Sequence, residues 1–198
     1  MDDLYYTIAS DGEGVYKEKM SKFLAFAKKA RNADEAKAII KTIQNEYHDA
    51  RHVCWAYMIG PARNEWQLND NGEPSGTAGR PILGQINSFG VTDVVVAVVR
   101  YFGGIKLGTP GLIAAYKEAA RLALEDAGKK EMYKLQTISI NFPYQSANEV
   151  MKIAKGEDIE VKERSFDNTC SMIIEVKESE VPRIRGKLGN IDGVTFFD

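Results

Sequence analysis

The stretch VVVAVVRYFGGIKLGTPG, residues 94–111, decides how the first part of this chain folds. Its opening run, residues 94–99, is the most apolar in the sequence; it is too short to cross a membrane and too β-branched to favour a helix. The run therefore predicts a strand that is buried on both faces. The glycine-rich remainder leads into a helix that we expect to reach about Asp126 and to end at Gly128.

Further strands and helices are predicted before this strand. The chain opens with an acidic lead-in. Asn32-Ala-Asp-Glu35 has the pattern of a capping box, in which Glu35 reaches back to the amide of Asn32, and an apolar face at helical spacing follows it. We expect strands at residues 20–27, 53–59 and 65–69, a turn at residues 61–64, a loop at residues 70–79 and a helix from near Pro81.

The composition changes after Gly128, and the remaining segments follow the order β-α-β-β-α-β. This order is typical of ferredoxin-like domains. We therefore expect an α+β protein of two domains, residues 1–130 and residues 131–198. The predicted strands are residues 133–142, 159–163, 170–176 and 193–197, and the predicted helices are residues 145–155 and 179–188.

Charge and cysteine content narrow the class of protein. The 198 residues carry a net charge of −2, with +1 in residues 1–130 and −3 in the rest, so a polyanion would bind the first part. Cys54 and Cys170 lie far apart in apolar runs, which favours buried free thiols over a disulfide framework or a zinc site. The acidic start has no apolar leader segment, and we expect a cytoplasmic protein.

The loop at residues 73–81 combines small residues with groups that suit an anion. Its glycines allow close approach of the backbone to a ligand, and Arg80 offers a planar fork for a carboxylate or phosphate at a helix start. The alternative is a tight turn that is capped by a hydroxyl, with Arg80 paired to a nearby acid. The predicted binding residues from this loop are Glu73, Ser75, Gly76, Thr77, Gly79 and Arg80.

The loop at residues 100–111 follows a buried strand and precedes a helix, the setting in which phosphate-cradling loops occur. Its cations stand beside aromatic residues, a combination that suits the stacking of bases or of a peptide side chain. The spacing matches neither the P-loop nor the dinucleotide-binding fingerprint, and the glycines could simply pack a helix on a sheet. The predicted binding residues here are Arg100, Tyr101, Phe102, Gly103, Gly104, Lys106, Gly108 and Thr109.

Catalytic and metal-binding patterns are weaker. His48 and His52 are four positions apart, as metal ligands on a helix would be, but the helical pattern fades at Tyr47 and a strand begins near His52. Ser75 lacks the GxSxG context of a serine hydrolase, and Cys54 has no cation beside it except His52. We therefore predict no catalytic residue, no bound metal and no cofactor.

Three segments together resemble the signatures of the YigZ/Impact family: KMSKF at residues 19–23, EPSGTAGRPIL at residues 73–83 and VVRYFGGIKLG at residues 98–108. The resemblance implies a first domain like the second domain of ribosomal protein S5. It implies a second, ferredoxin-like domain similar to the last domain of elongation factor G. Eukaryotic members of the family regulate translation by competing for the activator of a starvation-responsive kinase, whereas the bacterial members offer no activity that can be transferred.

The sequence departs from the family pattern after Gly108. Pro110 replaces a glycine, which stiffens the start of the following helix. Ala114 stands where an arginine is usual, which removes one cation from the expected surface. The loss of this cation lowers the polyanion affinity that we expect of this member.

These observations favour a binding and regulatory protein that engages RNA, the ribosome or a translation-associated protein through the two loops. The alternative is an enzyme that acts on a small phosphorylated or peptide substrate, because S5-like folds also occur in small-molecule kinases. If the loops form one anion-attracting groove, Arg80 and Arg100 should both be partly exposed and face the same concavity. Each guanidinium should otherwise meet a carboxylate such as Asp70 or Glu73, because an unpaired buried arginine is costly.

Overall fold

The structure is a computed structural model that describes residues 3–167 and 169–197. Tyr5–Met132 form one compact unit, and the rest of the described chain forms another. Both units combine strands and helices, which confirms the predicted α+β class. No helix of the described residues is long and apolar enough to cross a membrane.

The first unit contains a five-stranded antiparallel sheet in the order β2-β3-β6-β4-β5 and a separate strand pair, β1 with β7. The helices α2 and α3 pack on one face of the large sheet and α1 on the other. The strands are β1 (Leu4–Ile8), β2 (Gly12–Glu18), β3 (Ser21–Lys29), β4 (His52–Ile59), β5 (Glu65–Asn69), β6 (Val94–Tyr101) and β7 (Lys129–Tyr133), and the helices are α1 (Ala33–Glu46), α2 (Gly79–Phe89) and α3 (Gly108–Ala127).

The central strand β6 is covered on both faces, as its apolar run predicts. Val94, Val96 and Val98 belong to the core beneath α2 and α3, whereas Val95 belongs to the core on the α1 side. Alternate side chains of a strand point to opposite faces, so a continuous run of valines serves two cores at once. The second glycine-rich loop follows the carboxyl end of this central strand and therefore lies at one end of the sheet.

The strands β1 and β2 were not predicted, because an acidic lead-in was expected there. After the buried Gly12, the residues of β2 alternate between exposed and half-buried positions, and the strand lies at the edge of the sheet. Its glycines let α3 approach very closely: a Cβ added at Gly12 would lie 2.3 Å from the carbonyl oxygen of Ala123. Glycine and polar residues are poor strand signals, so the strand is stabilised by its packing against the alanine-rich helix.

The capping box before α1 differs in one contact from its prediction. The side-chain oxygen of Asn32 accepts the N–H of Glu35 at 2.8 Å, as expected. The carboxylate of Glu35 accepts the N–H of Arg31 at 2.9 Å and not that of Asn32. The reciprocal bond is therefore present but shifted by one residue.

The second unit has the β-α-β-β-α-β order that the sequence predicts, and its antiparallel sheet has the strand order β11-β8-β10-β9. The predicted strand at residues 133–142 is interrupted at Lys134, because the N–H of Lys134 donates to the carbonyl of Asp3 and its carbonyl accepts from Glu178. The elements are β8 (Leu135–Phe142), α4 (Ala147–Gly156), β9 (Glu160–Phe166), β10 (Cys170–Lys177), α5 (Val181–Gly189) and β11 (Thr195–Phe197), with 3-10 turns at Tyr144–Ser146 and Glu178–Glu180.

Candidate functional site

The two glycine-rich loops of the first unit meet at a cleft of about 430 Å³. The loop after β5 contributes to one side, the loop after β6 and the start of α3 contribute to the other, and the residues before β4 complete the lining. This convergence follows from the sheet order, because β4 lies between β5 and β6. The lining residues are Arg51, His52, Glu73, Pro74, Arg100, Phe102, Lys106, Leu107, Gly108, Thr109 and Leu112.

Asp70 organises the first loop from within. Its carboxylate accepts backbone N–H groups of Gly76 at 2.9 Å, Ala78 at 3.1 Å and Gly79 at 2.8 Å. Partial burial opposes ionisation of Asp70, but these three donors outweigh it and hold the pKa of Asp70 below its usual value. The loop is therefore folded around a charged acceptor, and its shape depends on the ionisation of Asp70.

Glu73 lies at the floor of the cleft in a buried ion pair. Its carboxylate oxygen Oε1 accepts from Nη1 of Arg100 at 2.6 Å and from the hydroxyl of Tyr116 at 2.7 Å. The side chains of Glu73 and Arg100 are only 3% and 7% exposed. Removing either partner would leave the other charge buried and unpaired, so this contact ties the first loop to β6 and to α3.

The guanidinium of Arg100 is also held by aromatic rings. Its carbon Cζ lies 5.6 Å from the ring centroid of Phe23 and 5.5 Å from that of Phe102, within the range of cation–π attraction. Phe23 is fully buried, whereas Phe102 is exposed. The Nε atom of Arg100 is buried and has no hydrogen-bond partner among the described residues. Arg100 therefore keeps donor capacity that the protein does not use.

The conformation of the second loop depends on two of its glycines. A Cβ at Gly103 would lie 2.0 Å from the backbone carbon of Met20, so only glycine allows the loop to pass the turn between β2 and β3. Gly104 has open space around it but adopts a φ of +90°. The hydroxyl of Tyr101 donates to the carboxylate of Asp49 at 2.8 Å, which directs this ring away from the cleft lining.

Exposed positive charge and free backbone donors surround the opening of the cleft. Arg51 and Lys106 are exposed, and neither forms an ion pair with a described residue. The 20-residue helix α3 begins at Gly108, and no described side chain caps it. The first N–H groups of a helix lack intrahelical partners and carry partial positive charge. The opening is therefore suited to an anion.

The potential nucleophiles of the site are poorly activated. Burial raises the pKa of the Cys54 thiol to about 12, and its Sγ lies 2.9 Å from the carbonyl oxygen of Asp70. Burial likewise raises the pKa of the Tyr116 hydroxyl. A thiol with this pKa is protonated at neutral pH and is therefore a weak nucleophile.

The ring of His52 is held at the cleft through one of its nitrogens. Its Nδ1 lies 2.8 Å from the carbonyl oxygen of Asn71, so this nitrogen carries the proton and donates it. The other ring nitrogen, Nε2, lies 4.0 Å from Oε1 of Glu73. His48 does not join it, because α1 ends at Glu46 and His52 begins β4. The described residues contain no group of three or more potential metal ligands.

The structure brings together six of the predicted site residues and separates eight from the cleft. Glu73, Arg100, Phe102, Lys106, Gly108 and Thr109 line it. Ser75, Gly76, Thr77, Gly79, Arg80, Tyr101, Gly103 and Gly104 do not. Several of these shape the loops instead: Thr77, for example, donates its hydroxyl to the carbonyl of Pro74 at 2.6 Å.

Arg51 and His52 were missed by the sequence analysis. The strand register identifies these two residues as part of the site, because β4 runs antiparallel to β6 and His52 is paired directly with Arg100. The residues before β4 must therefore lie beside the loop that follows β6. A register of this kind is visible only once the two strands are known to be neighbours.

The prediction that Arg80 and Arg100 are both partly exposed and face one concavity is wrong. Arg100 is buried, and Arg80 is exposed but does not line the cleft. Arg100 does meet a carboxylate, Glu73, as the cost of burying an unpaired charge requires. Arg80 stands instead near Asp70, whose ionised form its charge favours. The exposed cations at the cleft are therefore Arg51 and Lys106.

Known proteins of one family match this chain over most of its length. The model of the Impact N-terminal domain matches residues 19–124. The IMPACT family member YvyE of Bacillus subtilis is 31% identical over 176 residues, which cover 89% of this chain and 81% of the relative. The IMPACT family member YigZ of Escherichia coli is 37% identical over 128 residues, covering 64% and 63%.

A more distant relative and a solved structure agree with these matches. The Protein IMPACT homolog of Saccharomyces cerevisiae is 31% identical over 116 residues, which cover 56% of this chain and 44% of that protein. A crystal structure described as an hypothetical protein superposes with a TM-score of 0.74 at 26% identity, over all of this chain and 98% of that one. Because the family model spans more than half of the sequence and the identities extend over most of its length, this chain belongs to the Impact family.

Proposed function

We propose that this chain is a binding and regulatory protein of translation that engages RNA, free or within the ribosome, through the cleft between the two glycine-rich loops. The observation that carries the proposal is the balance of charge at the cleft. Glu73 is the one carboxylate among the described lining residues, and Arg100 and Tyr116 already occupy it. Arg51 and Lys106 remain exposed and unpaired within the described chain, so the cleft presents net positive charge.

The chemistry of the opening suits a phosphate backbone. Arginine and lysine supply the sequence-independent part of nucleic-acid affinity, and exposed aromatic rings stack on unpaired bases. Arg51, Lys106 and the exposed ring of Phe102 provide both groups around one cleft. The link to translation rests on the resemblance to the Impact family, whose eukaryotic members regulate this process.

A second function, an enzyme for a small phosphorylated or peptide substrate, is favoured by one observation. The ring of His52 is fixed through Nδ1 by Asn71, and its Nε2 faces Glu73 within the cleft. A histidine held in this way can serve as a general base. Burial raises the pKa of both Cys54 and Tyr116, however, which makes each a poor nucleophile for such a base to activate. Stabilisation of the fold by phosphosugars or dipeptides in a thermal-shift assay would favour the enzyme, because the binding of RNA predicts no response to them.

The proposal is tested by RNA crosslinking and ribosome co-sedimentation in lysate at low salt, where electrostatic contacts are strongest. The doubly substituted variant Arg51→Gln/Lys106→Gln should lose most of the crosslinked RNA. The matched control is Lys37→Gln/Lys41→Gln, which changes the net charge equally at exposed positions of α1 on the opposite side of the sheet. Association that is absent at low salt, or equally reduced in both variants, would contradict the proposal.

A further inference from the structure

We infer that the cleft takes a single nucleotide unit, with its phosphate at the start of α3 and its base on the ring of Phe102, and that it therefore selects unpaired RNA over duplex. This inference rests on the proposed function and names the ligand of the same site. The same chemistry is offered by an unpaired nucleotide in an RNA strand and by a free mononucleotide. The experiment below distinguishes these two sources.

The dimensions of the cleft suit one nucleotide. Its volume of about 430 Å³ lies within the range of roughly 300–1,000 Å³ that small-molecule sites occupy. Double-stranded RNA is recognised across its grooves, mostly by shape and by contacts to backbone atoms over a broad surface. A cleft of this volume does not offer such a broad surface, but it has room for a base that is not stacked in a helix.

The phosphate end of the cleft has two independent features. The start of α3 contributes Gly108 and Thr109 to the lining and has no side-chain cap among the described residues. Pro110 lacks an N–H, so Gly108 and Thr109 are the first backbone donors there. Arg100, more than nine-tenths buried, also lines the cleft, and its Nε has no partner in the described chain. A buried donor without a partner is rare in folded proteins, and a phosphate at the start of α3 would offer this one an acceptor.

Lys106 adds a positive charge on a flexible side chain to the phosphate end of the cleft. It is exposed at the lip of the cleft, two residues before the first turn of α3. Its flexible side chain adds attraction without fixing a geometry, whereas the guanidinium of Arg100 is fixed by Glu73 and two rings. The two cations therefore differ in role: Arg100 positions the phosphate and Lys106 increases its affinity.

The base end of the cleft is apolar and aromatic. The ring of Phe102 is 43% exposed although it is a large apolar group, and the apolar residues Leu107 and Leu112 also line the cleft. The guanidinium of Arg100 approaches the ring from one side, which holds the ring in place. Stacking on an aromatic side chain strengthens the binding of one base by roughly 5- to 150-fold, and it tolerates any base.

The test measures the fluorescence anisotropy of a labelled single-stranded RNA and of the blunt duplex of the same length, each bound to the full chain. We expect the single strand to bind at least about ten-fold more tightly. Phe102→Leu should weaken single-strand binding by roughly ten-fold and duplex binding by less than about two-fold. The control Phe166→Leu changes an equally exposed phenylalanine, on β9 of the other unit, and should change neither affinity. Thermal melting of both variants verifies that they fold.

The outcomes separate the inference from the proposed function. The inference would be overturned if single strand and duplex bound equally tightly, or if Phe102→Leu changed neither affinity. Either result would leave the proposed binding of RNA intact. Displacement of the labelled strand by AMP or UMP would support the nucleotide site directly. Thermal stabilisation by AMP or UMP without any RNA binding would support the site and overturn the proposed function. No response to RNA or mononucleotide would overturn both.

Discussion

Glu73→Gln should strongly destabilise the first unit, because it removes the charge that neutralises Arg100 at the floor of the cleft. The glutamine carbonyl can still accept from the hydroxyl of Tyr116, so the substitution isolates the ion pair. The side chain of Arg100 is only 7% exposed, and breaking a buried pair by removing one partner costs about 3–5 kcal/mol. For a urea m-value of about 2 kcal/mol/M, the unfolding midpoint should fall by roughly 1.5–2.5 M.

Urea denaturation followed by tryptophan fluorescence measures the loss of stability in the first unit. The chain has two tryptophans, Trp55 on β4 and Trp66 on β5, and both belong to the first unit. The signal therefore reports the unfolding of this unit whatever the other one does. The control is Glu118→Gln, which breaks an exposed ion pair with Arg121 on α3 and should cost at most about 1 kcal/mol.

A second substitution separates the buried charge from a general loss of packing. In Glu73→Gln/Arg100→Met the unpaired guanidinium is replaced by an apolar side chain of similar length, so the double variant should be more stable than Glu73→Gln alone. A loss below about 1 kcal/mol for Glu73→Gln would refute the buried pair. If the loss of stability in the double variant equals the sum of the losses in Glu73→Gln and in Arg100→Met, the coupling between the two residues is refuted.

Three further predictions follow from individual contacts. Asp70→Asn should destabilise the first unit at neutral pH. Because the folded-state pKa of Asp70 is lowered from 3.8, the stability that its charge contributes is present above pH 3.8 and is lost as the pH falls through the folded-state pKa. The urea unfolding midpoints of parent and variant should therefore converge only in acid. Gly103→Ala should lower the melting temperature markedly because its Cβ would overlap backbone, whereas Gly84→Ala, in open space within α2, should leave it unchanged or raise it, and equal melting of the two variants would contradict the close approach. Cys54 and Cys170 should both resist a thiol reagent in the native protein and react once urea unfolds it, since both are buried; rapid labelling of native Cys54 would show that the site contains an activated thiolate.

The features that the sequence predicts well are those with a local physical cause. The valine run of β6, the hairpin from His52 to Asn69 and the cap of α1 each follow from side chains within a few positions of one another. The meeting of the two loops was only a hypothesis from the sequence, because it follows from the sheet order, which local patterns do not give. Local patterns thus fixed the elements and indicated the region of the site.

The features that the sequence did not predict depend on distant partners. The sequence left Arg100 either exposed or paired with a carboxylate such as Glu73, and the contact with Glu73, 27 positions away, decides for the buried pair. Arg51 enters the site only through the register of β4 on β6. The strand β2 is stabilised by the close approach of α3, which no local propensity encodes. In each case a tertiary contact decided between alternatives that the residues alone left open.

The most direct test of RNA binding at the cleft is the salt dependence of that binding. The affinity of the full chain for a labelled single-stranded RNA is measured over a series of salt concentrations, for the parent, for Lys106→Gln and for Lys41→Gln on α1. The two exposed cations at the cleft, Arg51 and Lys106, predict a slope of about −1.4 for log affinity against log salt, since each neutralised phosphate contributes roughly −0.7 for a single strand. Lys106→Gln should make the slope less steep by roughly 0.7, and Lys41→Gln should leave it unchanged. Absence of binding at low salt, or the same slope in parent and Lys106→Gln, would contradict the account.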